Sequence, residues 1–88
     1  MQDRYMPKTL KQKLGYLVEE AGEVQAAVGK TIRWGLFSYN PELPEEQRET
    51  NRDWILRELK DLERAVKWAR EGLTNATEEE AKSILDML

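Results

Sequence analysis

Apolar residues return every three or four positions from Leu10 onward, at Leu10, Leu14, Leu17, Val18, Ala21, Val24 and Val28. That spacing follows the 3.6-residue helical turn and predicts one amphipathic helix running to about Ile32, with Pro7 suited to its first turn. The pattern breaks in RWGLFSYNPELPEE, residues 33–46, at Gly35, Asn40, Pro41 and Pro44. Each proline pushes the residue before it out of helical geometry, so this stretch reads as a loop, and it is rich in aromatic residues. A second helical run comprises Ile55, Leu59, Leu62, Val66, Ala69 and Leu73. Its start is set either by Pro44 with Glu45 and Glu46 or by a cap within ETN, residues 49–51, and Gly72 is the expected stop. TEEE, residues 77–80, has the form of a capping box, Thr77 as N-cap and Glu80 at N3, leading into a short third helix with Ala81, Ile84, Leu85 and Leu88. There is no alternating strand pattern and no internal repeat. The expected class is all-α, two long helices and a short C-terminal one in a single domain, 1–88.

Composition changes this picture in three ways. A chain of 88 residues covers only part of its own apolar surface, so Trp34, Phe37, Trp54 and Trp68 are expected to find cover by oligomerisation. The 14 basic residues are scattered along the chain and the net charge is −3, which argues against a nucleic-acid polymer as partner. The chain has neither cysteine nor histidine, which removes thiolate and imidazole metal sites, Ser-His-Asp catalysis, and the Glu-x-x-His motifs of carboxylate-bridged redox bundles. No stretch approaches the ~18 apolar residues of a membrane span, and MQDRYMPKTL lacks the apolar segment of a signal peptide. A cytoplasmic protein without membrane attachment is expected. NAT, residues 75–77, fits a glycosylation sequon, but Thr77 is better read as a helix cap.

Candidate chemistry lies in the carboxylates. GYLVEEAGEVQAAVGK, residues 15–30, crowds Glu19, Glu20 and Glu23 beside the apolar seam centred near Leu14, Ala21 and Val28. On the second helix Glu58 and Asp61 flank the Leu59, Leu62 and Val66 seam in the same way. Antiparallel packing of the two seams sets Glu20 and Glu23 across from Glu58 and Asp61. Four carboxylates that close repel one another unless a cation lies among them, and an all-oxygen donor set selects Mg²⁺, or Mn²⁺, over zinc or copper. A solvated acidic face is the competing account of either motif taken alone.

EEAGE (19–23) and ELKD (58–61), with IRWG (32–35) and TNRDWILRELKDLERA (50–65), resemble the paired E-E-x-x-E and E-x-x-D motifs of the MazG-like all-α nucleoside triphosphate pyrophosphohydrolases. The resemblance implies a helical dimer or dimer of dimers that cleaves an NTP or dNTP to the monophosphate and pyrophosphate with Mg²⁺, in a nucleotide-pool house-cleaning role. It also implies that Glu20, Glu23, Glu58 and Asp61 ligate metal, and that Glu19 or Glu23 orients the attacking water or accepts its proton. Lys60 stands where a small glycine is common in the family. For the polyphosphate the candidate cations are Lys30, Arg33, Lys67 and Arg70, while Trp34, Phe37, Tyr39 and Trp54 offer faces for a base. The alternative function is a non-catalytic helical nucleotide-binding or protein-interaction module with the same fold.

Overall fold

The computed structural model describes residues 6–85, which form three α-helices and no strand. The first, α1, is Leu10–Trp34. Its start is set by Thr9, whose hydroxyl accepts from the Gln12 N–H while the Gln12 side chain accepts from the Thr9 N–H. This reciprocal cap satisfies two otherwise unpaired donors, so Pro7 lies buried ahead of the helix and outside its first turn. α1 ends at Gly35, whose φ of 99° is left-handed backbone that a side chain disfavours. The second helix, α2, is Asn51–Thr74, capped by the Thr50 hydroxyl on the Asp53 N–H. Of the two starts open from the sequence, the Thr50 cap prevails, and Pro44 instead opens a single 3-10 turn, Glu45–Gln47.

Gly72 does not stop α2, which continues to Thr74. Its missing Cβ serves a close approach: a Cβ there would stand 3.0 Å from Leu10 Cδ1 and 3.1 Å from Lys13 Cδ. The third helix, α3, is Glu78–Leu85, opened by the expected exchange in which Glu80 N–H donates to the Thr77 hydroxyl and Thr77 N–H to the Glu80 carboxylate. The other Glu80 oxygen accepts from the Leu10 N–H at 3.2 Å, tying α3 to the start of α1. Leu88, placed on this helix by its spacing, lies outside the described residues.

α1 and α2 form an antiparallel hairpin, with Leu10 against Gly72 at one end and Gly35 against Asn51 at the other. Its interior differs from the expected seams. The buried line is Leu10, Tyr16, Glu20 and Ala27 on α1, and Asn51, Glu58, Ala65, Ala69 and Gly72 on α2. At about 100° per residue, both lines sit roughly a quarter turn from the aliphatic seams. The reason is steric: Ala27 and Ala65, both at 0% exposure, let the backbones approach closely. The aliphatic residues are rotated in the same sense on both helices and so fall on one side of the hairpin. There Ile32, Leu59, Val66 and Leu73 are exposed, Ile32 at 82% and Leu73 at 57%. The opposite side carries Trp54, Asp61, Arg64, Trp68 and Glu23.

Candidate metal centre

The quarter-turn rotation moves the carboxylates from the border of the contact to its middle. Glu20 is 7% exposed and Glu58 4%, and with Asp61 they bring three carboxylate oxygens within 4.8 Å of one another. Glu20 comes from the middle of α1, and Glu58 and Asp61 from successive turns of α2, so two rigid helices set the spacing. Two donors fasten one oxygen of Glu58: Trp54 Nε1–H at 3.3 Å and the Arg57 guanidinium at 3.1 Å. Arg57 also donates to Glu49 at 2.7 Å. The second oxygen of Glu58 and Oε2 of Glu20 are buried with no hydrogen-bond partner among the described residues.

Burial pushes the Glu20 carboxyl above the ordinary carboxylate range, and the charges of Asp61 and Glu58 push it the same way. Glu58 is raised too, first by burial and then by Glu23 beside it. Burial, then the Glu20 charge, raises the Tyr16 phenol, whose buried hydroxyl has no partner among the described residues. The Tyr16 ring rests on Trp68, centroids 5.5 Å apart.

A hard divalent cation fits this donor set. A cation with bonds of about 2.0–2.6 Å holds any two of its oxygens no more than roughly 5 Å apart, a limit the three carboxylates meet, and the two orphaned buried oxygens gain a partner that no side chain among the described residues supplies. Exposed acidic patches of solvated helices lack such atoms.

The remaining candidate residues divide by position. Glu23 is exposed at the rim, beside Glu20 and Glu58. Glu19 is exposed and about 100° around α1 from Glu20. Lys30 reaches over the Trp54 ring, its ammonium 5.3 Å from the centroid, and Trp34 shares a cleft with both. Arg33 is exposed in the last turn of α1. Lys67 and Arg70 line a separate groove with Glu63 and Glu71, on the part of α2 turned away from the carboxylates. Arg57, Arg64 and Tyr16 carry no site role in the sequence reading; Tyr16, one turn before Glu20, and Arg64, three residues after Asp61, stand at spacings that point to them, while Arg57, next to Glu58, does not.

No family model, no curated protein and no solved structure matches this chain. Among the described residues no helix is long and apolar enough to cross a membrane.

The raised carboxyls predict a pH dependence. A carboxyl whose folded pKa exceeds its unfolded value of about 4.3 destabilises the fold once ionised, so stability falls as pH rises through the folded values of Glu20 and Glu58. Glu80, lowered by the backbone N–H groups of Thr77 and Leu10, acts in the opposite sense but only as pH falls below the ordinary carboxyl range. In chelator the melting temperature is expected to be higher just above the ordinary carboxyl range than near pH 8, and Mg²⁺ at pH 8 is expected to recover the difference. Thermal melts at the two values check this; a melting temperature that climbs with pH in chelator contradicts it.

Proposed function

We propose that this protein is a Mg²⁺-dependent nucleoside triphosphate pyrophosphohydrolase, cleaving an NTP or dNTP between the α- and β-phosphates. The observation that carries the reading is the buried trio Glu20, Glu58 and Asp61, with two carboxylate oxygens left unpartnered. The resemblance of EEAGE and ELKD to the MazG-like motifs supplies the cleavage position. Glu20, Glu58 and Asp61 would hold the cation, with Glu23 within reach from the rim. When bound, the cation supplies Lewis-acid charge neutralisation on phosphate oxygens and lowers the pKa of water.

The chain's own groups do the rest. Arg57 and Trp54 keep Glu58 in one orientation through its first oxygen. Glu23, open to solvent, is placed to orient an attacking water and take its proton. Glu19 reaches the centre only from its outer edge, which suits it to holding water rather than metal. Arg64, half-buried near Tyr16 and the acidic groups, is the cation best placed for the departing pyrophosphate. Lys67 and Arg70, on their separate groove, are better placed for contacts outside this centre.

Product analysis tests the reaction. Incubation of the protein with Mg²⁺ and a panel of NTPs and dNTPs is expected to yield monophosphate and pyrophosphate, with orthophosphate appearing only after added pyrophosphatase. Direct release of orthophosphate, or full activity in chelator, contradicts the assignment. The alternative, a non-catalytic interaction module, draws on the exposed aliphatic side of the hairpin, and the same assay separates the two.

That aliphatic side also supports self-association, since a contiguous apolar face on so small a domain is costly in water. Sedimentation at micromolar concentration is expected to show a dimer or dimer of dimers; a stable 10.3 kDa monomer would sink this.

A further inference from the structure

The segment between α1 and α2 folds over the hairpin's end and, with the last turn of α1 and the first turn of α2, encloses a cleft of about 700 Å³. We infer that this cleft is the nucleoside subsite. The base lies against Trp34, Tyr39 and Trp54, and the polyphosphate passes over Glu58 and Asp61 toward Arg64. The inference rests on the pyrophosphohydrolase reading for its ligand class and adds where the base sits and which way the substrate runs.

Four observations carry it. The volume is that of a small-molecule site, within the range of about 300–1,000 Å³ that such clefts occupy. Its aromatic walls are not buried in a core: Trp34 is 65% exposed and Tyr39 48%, and with the Arg48 guanidinium 5.1 Å from the Tyr39 ring centroid it is chiefly the Trp34 ring that presents flat apolar surface to whatever enters. Planar rings stack on such faces whatever their identity. The cleft also joins the carboxylate centre through one side chain, because Trp54 lines it while its indole N–H donates to Glu58. Trp54 and Glu58 are one helical turn apart, about 6 Å along the axis, which is the span of a sugar between base and α-phosphate.

The polar groups of the lining fit an uncharged ring edge. The Asn40 carbonyl is taken by the Glu42 N–H, which leaves its NH₂ to donate. Gln47 lines the cleft, and its side-chain amide can both donate and accept. Of the two carboxylates in the lining, Glu49 is neutralised by Arg57. Lys30, now over the Trp54 ring, can swing aside to meet the α-phosphate.

Phosphate-free deoxynucleosides in chelator test the cleft without metal or turnover. The indole N–H resonances of Trp34 and Trp54 are expected to shift on titration with at least one of the four, while Trp68, on its stack with Tyr16, stays fixed. 2-Deoxyribose alone should shift none of them. Tyr39→Ala is expected to weaken the binding about tenfold, as loss of one stacking face does. Trp34→Phe, which keeps a ring, should weaken it less. Equal movement of Trp68, a response to 2-deoxyribose, the absence of any shift, or unchanged affinity in Tyr39→Ala overturns the subsite; circular dichroism confirms that the variant stays folded, and if it does not, Trp34→Ala read at Trp54 takes its place. A parent that binds deoxynucleosides in this way yet hydrolyses no triphosphate would overturn the pyrophosphohydrolase reading and leave the subsite standing. A parent that hydrolyses triphosphates with no response at Trp34 or Trp54 does the reverse.

Discussion

Asp61→Asn is expected to lower kcat by roughly two orders of magnitude or more, because a metal-held charge stabilises the transition state by several kcal/mol and each ~1.4 kcal/mol is tenfold in rate. Glu20→Gln and Glu58→Gln should behave alike, since the three oxygens converge on one point. What marks these substitutions as chemical rather than structural is stability. Removing one of three crowded carboxylates relieves the burial of charge and the repulsion that together raise Glu20, so each amide should melt in chelator no lower than the parent and lose the Mg²⁺-dependent rise. Glu19→Gln, on the outer edge, should reduce turnover while retaining much of that rise. Steady-state kinetics paired with melts in chelator and in Mg²⁺ reads both effects. Full turnover in Asp61→Asn, or an undiminished metal shift, would mean that the trio binds no catalytic cation.

The helices were legible because their signals are local. Thr9 and Gln12, Thr77 and Glu80, and the three-and-four spacing of leucine and valine act within a few residues. The i, i+3 pair Glu58 and Asp61 and its counterpart Glu20 were legible for the same reason, and they do meet. The rotation of each helix about its axis was not. Apolar spacing marks a face that must be covered without saying by what, and here Leu59, Val66 and Ile32 are not covered by their own hairpin. The signal for the true interior was the run of small residues Ala27, Ala65, Ala69 and Gly72, which hydrophobicity alone underrates. The cleft was hidden for a further reason: its shape depends on hydrogen bonds between residues 13 to 16 apart, which no periodicity reports.

Ala65→Leu is expected to destabilise the fold by about 1–3 kcal/mol through overpacking, a fall in melting temperature of roughly 5–20 °C for a domain of this size. Ala65 is at 0% exposure in the interior of the hairpin, where three extra carbons can be admitted only by parting the helices. The same substitution promotes a helix in isolation no worse than a neutral change would, since Leu is nearly as good a helix former as Ala. A loss of stability therefore reports the crossing and not the helix. Separation of the helices would also pull Glu20 away from Asp61, so Mg²⁺ should stabilise this variant less than the parent. Thermal melts with and without metal check both statements; an unchanged melting temperature would place Ala65 away from the contact.

The connection between α1 and α2 is fastened only at its two ends. Asn51 N–H donates to Ser38, Arg52 N–H to Leu36, and the Asn51 side chain to Gly35 at 2.9 Å. These bonds splice the start of the connection to the first turn of the helix that carries Glu58 and Asp61. Residues 39–47 between the fastenings make no hydrogen bond to either long helix among those described, and the entropy of closing such a segment grows only slowly with its length. Exchange of that stretch, even for one of different length, can thus leave the carboxylates in register. That stretch carries Tyr39, Asn40 and Gln47 of the cleft lining, so part of the proposed nucleoside subsite is open to variation without moving the proposed metal ligands.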